Sequence, residues 1–252
     1  MYIERSISAA IMEAQPYYPV TIVTGPRQSG KSTLCRHLFA DYKFVNLEDL
    51  DSYGLATTDP VMFLKSLGSN AIIDEVQRVP TLLHQIQANV DENKSLRYIL
   101  TGSSNFALMH NTCQSMAGRA ASFTLLPLSL KELTENWKHQ PTDNLMHSGF
   151  YPNVVADGTP ADMFYRNYVS TYVERDVRSL LKVGNLTKFV KFLTLMAGRI
   201  STEFNASTIS NEVGVSSNTI SEWASILEAS YIVFPLRPYY ANISKRLSKM
   251  PK

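Results

Sequence analysis

In the first half of the chain, apolar positions gather into short runs: VTIVT (20–24), KFVNL (43–47), NAIID (70–74), RYILT (97–101) and SFTLL (122–126). Their length and β-branched content predict strands. Between several of them the apolar spacing turns helical, as in STLCRHLFA (32–40) and VPTLLHQIQANVDE (79–92). Strand and helix in alternation predict a parallel α/β sheet, and hence one nucleotide-fold domain over residues 1–150.

The stretch HSGFYPNVVADGTP (147–160) is rich in Gly, Pro and Asp and interrupts this alternation, so a domain boundary is expected there. Residues 151–252 then form a second domain that reads helical up to about residue 230. A helix opens after Pro160 with Phe164, Tyr168, Tyr172 and Val173 at helical spacing, and LTKFVKFLTLMAGRI (186–200) predicts another. Next come a short helix, a Gly-Val-Ser turn at 214–216, a second helix over 216–228 and the strand-like YIVFPL. This is a helix-turn-helix outline with a wing. In its second helix Ile220, Trp223, Ile226 and Leu227 share one face, which predicts packing into the domain's own core.

With 44% apolar and 18% charged residues the composition is ordinary for a globular protein, and a formal charge of +2 gives no bulk attraction to nucleic acid or membrane. Two cysteines, Cys35 and Cys113, supply neither a zinc set nor a disulfide framework, so both are expected to be reduced and the protein cytoplasmic. The first residues, MYIERSISAAIMEAQPYYP, are interrupted by Glu4, Arg5 and Glu13 and are too short in apolar content for a secretion signal or a membrane span.

Chemistry enters with Gly25-Pro26-Arg27-Gln28-Ser29-Gly30-Lys31-Ser32, followed by Thr33, which fits G-x-x-x-x-G-K-[ST] in full. Such a loop wraps a phosphate in backbone N–H groups: glycine takes the unusual dihedrals, lysine reaches the outer phosphates and the hydroxyl of Ser32 ligates Mg2+. The run VTIVT before it and the helix after it supply the strand and the anion-favouring helix N-terminus that this loop requires. Asp74 and Glu75 end the run NAIID: one carboxylate at a strand tip holds Mg2+ through its water shell, and the adjacent one polarises attacking water. The additional run KFVNL separates the loop strand from the Asp74 strand, as in the branch of such ATPases with a catalytic glutamate. Ser103, taken ahead of Ser104, is a candidate for touching the γ-phosphate, and Arg119 and Arg175 are candidates for neutralising charge from a neighbouring subunit or a closing lid. For each of these three, a plain turn or surface ion pair is the competing reading. The closest match to a guanine motif, Asn93-Lys94-Ser95-Leu96, lacks its aspartate, which leaves adenine as the default base.

With these residues in place the sequence resembles the bacterial and archaeal AAA-like (AAA+ superfamily) ATPases. In those proteins an ATP-binding domain is followed by helices, a winged helix and a C-terminal domain related to restriction endonucleases. The resemblance rests on YIER, GPRQSGKST, IIDEVQ, LTGSSN, AGRA, LPLSLKEL, GFYPNV, YVERDVR and the run from EWASILEASYIVFPL to the C-terminus, so it spans nearly the whole chain. It implies an α/β P-loop NTPase sheet followed by a helical and winged-helix domain. It further implies that Lys31 and Ser32 (Walker A) bind the triphosphate and Mg2+, that Asp74 (Walker B) is the metal carboxylate, and that Glu75 is the catalytic base. Relatives continue past the equivalent of SKMPK, so the chain is expected to be a C-terminal truncation without nuclease chemistry.

The function expected is ATP hydrolysis that moves the helical module, with ATP, ADP and a second copy or a partner protein as the partners. Alternatives are a nucleotide-gated interaction switch with slow hydrolysis, a DNA-associated regulator and, lower, a metabolite kinase, for which no arginine-rich lid follows the Asp74 strand. Against sequence readout of DNA, the segment 216–228 carries Glu222 and Glu228 and no Lys or Arg. Any DNA contact is confined to the basic tail with Arg237, Lys245, Arg246, Lys249 and Lys252. No membrane partner is expected.

Overall fold

The computed structural model describes residues 2–102, 116–172, 186–239 and 251–252. It divides into two compact units, Met1–Phe164 and Tyr165–Lys252.

The first unit is built on β1 (Val20–Thr24), β2 (Lys43–Asn46), β3 (Asn70–Asp74), β4 (Arg97–Gly102) and β5 (Ala120–Thr124), in the order β2-β3-β4-β1-β5. Every pairing is parallel. Helix α1 (Ser8–Ala14) precedes β1, and the helices between the strands are α2 (Lys31–Leu38), α3 (Leu50–Thr58), α4 (Pro60–Leu67) and α5 (Leu82–Glu92). Parallel strands need such crossovers, and the crossovers cover the sheet. Ile22, Ile73 and Leu100 join a core with Phe63 and Leu64 of α4 and Leu82, Leu83 and Ile86 of α5. Their sequence neighbours Val23, Ile72 and Ile99 join a different core with Ile11 of α1 and Leu34 and Cys35 of α2. Adjacent residues of a strand point to opposite faces, so covering both faces is what makes these strands read as unbroken apolar runs. Each such side chain, fully buried, contributes on the order of 1.5–3 kcal/mol.

The spatial order differs from the simplest reading of the sequence. KFVNL lies between the two phosphate-site motifs in sequence, but β2 is the sheet edge, with Lys43 exposed. The strand that lies between β1 and β3 is β4, which pairs with both. Helices α3 and α4 follow from capping: the Asp49 carboxylate accepts from Ser52 N–H (2.9 Å), Asp59 accepts from Met62 N–H (2.9 Å), and Pro60 occupies the first turn. Beyond β5 come α6 (Glu135–Lys138), α7 (Thr142–Ser148), α8 (Pro152–Val155) and α9 (Ala161–Tyr172), the last running across the division between the units.

The second unit holds α10 (Leu186–Ala197), α11 (Ala206–Val213) and α12 (Ser217–Ala229). Asn205 caps α11 by accepting from Thr208 N–H (3.1 Å), and Ser216 caps α12 by accepting from Thr219 N–H (3.1 Å). Between them Gly214 ends α11 in the left-handed region (φ 78°), its N–H bonded to the Ser210 carbonyl (2.8 Å). Trp223 packs against the rings of Phe189 (5.2 Å) and Phe192 (5.6 Å), with Ile220 and Leu227 also buried and Ile226 half-buried. The strand-like YIVFPL forms no strand among the described residues. Tyr231 takes a left-handed φ of 60°, and Ile232 donates back to the Leu227 carbonyl (2.9 Å), closing the end of α12 instead. Further on, Leu236 and Lys252 exchange two backbone hydrogen bonds (2.8 and 3.0 Å).

Among the described residues no helix is long and apolar enough to cross a membrane.

Candidate active site

The loop 25–30 leaves the carboxyl end of β1 and runs into α2, which starts at Lys31. Two glycines give it its shape. Gly25 has φ 148°, and a Cβ there would lie 2.1 Å from the Leu125 carbonyl oxygen, a contact no side chain can occupy. Gly30, at the helix N-cap, is left-handed with φ 93°. Pro26 and Ser29 are buried, Arg27 is half-buried, and Gln28 is exposed with a φ of 60°. Thr33 is exposed on the first turn of α2. Beside Gly30 and Thr33 opens a cleft also lined by Tyr2, Arg5, Leu128 and Pro152.

Lys31 is buried and bends back over the loop, its Nζ donating to the carbonyls of Gly25 (3.0 Å) and Pro26 (2.8 Å). Burial pulls its pKa down to about 8; Arg27 adds to that, while Glu75 and Asp74 oppose it. Ser32 donates its Oγ hydrogen to Asp74 Oδ2 at 2.6 Å. Asp74 is buried and accepts at its other oxygen from the Thr101 hydroxyl and the Glu75 N–H (3.2 Å). The sheet register explains this meeting: Ile73 lies opposite Leu100, so Asp74 and Thr101 are the next neighbours at the strand tips.

Glu75 stands one residue beyond β3 with φ 57° and ψ 40°, a left-handed conformation that costs a non-glycine residue roughly 1–3 kcal/mol. Its carboxylate accepts from the amide of Gln77 in the following 3-10 turn. This strained residue stands directly after Asp74 of the Ser32–Asp74 pair.

The structure thus brings together Lys31, Ser32, Asp74 and Glu75 at the carboxyl end of the sheet. It does not bring Arg119 there. Arg119 precedes β5, at the opposite end of the strands, roughly 16 Å away for a five-residue strand. Its guanidinium is paired with Asp91 by two bonds of 2.7 Å, Nε to Oδ1 and Nη2 to Oδ2. Ser103, Arg175 and most of the basic tail lie outside the described residues. Two groups beside the loop were not singled out from the sequence. Thr101 needed the β3–β4 register to be noticed. Arg5 is buried, with Nη1 donating to the Ser29 carbonyl of the loop (2.9 Å), and its only sequence signal is an arginine in YIER.

Cys35, on the buried side of α2, has its thiol pushed up to about 12, chiefly by burial and further by Asp74. It is held as a neutral thiol.

Comparison with known proteins agrees with this layout. Residues 17–134 match the family described as "AAA domain", and residues 140–252 match one described as a domain of unknown function. Uncharacterized proteins of Mycobacterium bovis and Mycobacterium tuberculosis are each 29% identical over the whole chain, which spans 57% of their length. A Walker-type ATPase of Pyrococcus abyssi superposes with a TM-score of 0.62 at 13% identity, covering 100% of this chain and 93% of that one. The fold is that of the P-loop NTPases, and residues 17–134 are similar to the AAA domain family.

Proposed function

We propose that the chain is an AAA+-type ATPase that binds ATP at loop 25–33 and hydrolyses it to ADP and phosphate. The observation that carries this reading is the Ser32–Asp74 bond of 2.6 Å with the Glu75 carboxylate anchored beside it. A hydroxyl already donating to a carboxylate has a lone pair free to face a cation, and both groups are hard oxygen donors, so the pair fits Mg2+ held mainly by the nucleotide and water. Bound there, Mg2+ would offset charge on the β- and γ-phosphates.

The remaining work belongs to side chains of the chain. The backbone N–H groups of 28–33 and the α2 N-terminus hold the phosphates. Lys31 leaves the Gly25 and Pro26 carbonyls to meet the outer phosphate. Glu75 accepts a proton from the attacking water, while Thr101 and Asp74 keep Ser32 oriented. Arg119 lies too far from its own loop, so its place in the reaction would be at the site of a second copy, after release from Asp91. The segment after residue 150, with its helix-turn-helix α11–α12, serves as the nucleotide-sensing helical and winged-helix module. Ser103 and Arg175 keep their expected roles at the γ-phosphate and as a second charge-neutralising arginine. The protein works in the cytoplasm, and DNA, if bound, meets the basic tail from Arg237 onward.

Glu75→Gln tests the chemical step. It keeps size and hydrogen bonding but loses the base, so ATP should bind as in wild type while phosphate release falls about a hundredfold or more. Unchanged turnover would move the base elsewhere and favour the slow, nucleotide-gated switch.

A further inference from the structure

A guanidinium is rarely buried without a full set of partners, and that of Arg5 is spent on a specific part of the molecule. Arg5 is 6% exposed. Its Nη1 donates to the Ser29 carbonyl (2.9 Å), and its Nη2 donates to the carbonyls of Leu126 (2.6 Å) and, more weakly, Pro127 (3.3 Å). Its Nε lies 3.3 Å from Glu132, whose carboxylate also accepts from the N–H groups of Ser6 (2.6 Å) and Ser129 (2.7 Å). One side chain therefore ties three segments together: the N-terminal strap, the phosphate loop and the chain leaving β5.

The contact with Ser29 has a directional consequence. The described chain has no cis peptide bond, and in a trans peptide the C=O and the following N–H point in opposite directions. Holding the Ser29 carbonyl toward Arg5 therefore turns the Gly30 N–H away from Arg5. Gly30 sits at φ 93° and has no Cβ, so nothing intrinsic to the residue prevents this peptide from rotating. An unrestrained flip would put a carbonyl oxygen where an anion is to bind.

We propose that Arg5 is a positioning residue for nucleotide binding: it locks the Ser29–Gly30 peptide with the Gly30 N–H facing the phosphate, so that the loop is arranged for an anion before one binds. This inference rests on the ATP-binding reading of loop 25–33.

The test compares Arg5→Gln and Arg5→Lys with Val90→Ala, a control in the α5 core cluster that lowers stability without touching the loop. Each variant is titrated with ATP in the presence of Mg2+, its thermal midpoint is recorded, and the Gly30 amide is followed by NMR in the absence of nucleotide. Arg5→Gln should weaken ATP binding about tenfold or more, raise KM more than it lowers kcat, and shift or broaden the Gly30 amide. Arg5→Lys, with an ammonium that can still reach the Ser29 carbonyl, should recover part of the affinity. Val90→Ala should lower the thermal midpoint and leave affinity and the Gly30 signal unchanged. Arg5→Gln that stays folded with wild-type affinity and an unmoved Gly30 amide would overturn the proposal, as would an affinity loss no greater than that of an equally destabilised Val90→Ala. Failure of wild-type protein to bind ATP would instead overturn the nucleotide reading, and the Gly30 amide would still decide whether Arg5 sets the peptide.

Discussion

Lys31 is the residue on which the electrostatics of the site turn. Its pKa is lowered to about 8 because the ammonium is buried, and the carboxylates of Glu75 and Asp74 only partly offset that burial. For a lysine with a depressed folded pKa, burying the charged form costs stability below about pH 8, and that cost is relieved as pH climbs toward 10.5. Phosphate binding needs the charged form. Binding should therefore draw in a proton as pH rises through about 8, and ATP affinity should fall by up to about tenfold per pH unit above it. Calorimetry at pH 7, 8 and 9 in buffers of different ionisation enthalpy would show the uptake; an affinity flat across that range would mean Lys31 is not the phosphate's cation. At this scale much was legible in the sequence, because G-x-x-x-x-G-K-[ST] encodes backbone conformations, such as that of Gly25 against the Leu125 carbonyl, which only glycine permits. Thr101 and Arg5 were not legible. A threonine ending an apolar run and an arginine near the N-terminus carry no pattern of their own, and only the register at Leu100 and a contact 24 residues along the chain give them a role.

Among the elements, the strands were read from their apolar runs because helices cover both faces of the sheet, leaving no polar alternation to find. Helices α3 and α4 escaped that reading, since exposed Leu50, Val61 and Met62 blur the buried set Ala56, Phe63, Leu64 and Leu67, and the helix starts are marked by the Asp49 and Asp59 caps. The position of β4 between β1 and β3 is a matter of crossover topology, which no local window contains. YIVFPL misled through composition: its apolar residues suit a strand, but among the described residues it has no strand to pair with. The helical spacing of Ile220, Trp223 and Leu227, by contrast, reports their burial directly. Trp223→Ala should cost about 3–5 kcal/mol, as expected for emptying a buried aromatic site. Chemical denaturation followed by circular dichroism would measure it, and a loss under about 1 kcal/mol would mean that α12 is not held by the Phe189–Phe192–Trp223 cluster. Asn218→Ala, on the exposed face, should leave stability within about 0.5 kcal/mol.

For the molecule as a whole, the two units and the paired Arg119 bear on how a cycle would be organised. Arg119 lies at the far end of β5 from its own loop and is held by Asp91 in a surface ion pair, so it does not reach the loop of its own chain. The chain spans 57% of the length of its mycobacterial relatives. The central claim, that loop 25–33 is an ATP site built around Lys31, is tested most directly by calorimetric titration of ATP with Mg2+ into wild type and Lys31→Ala. The account predicts saturable binding of one ATP per chain by wild type and a loss of at least about tenfold, or 1.4 kcal/mol, in the variant. Lys31→Ala that remains folded by circular dichroism and binds ATP within about twofold of wild type would contradict it.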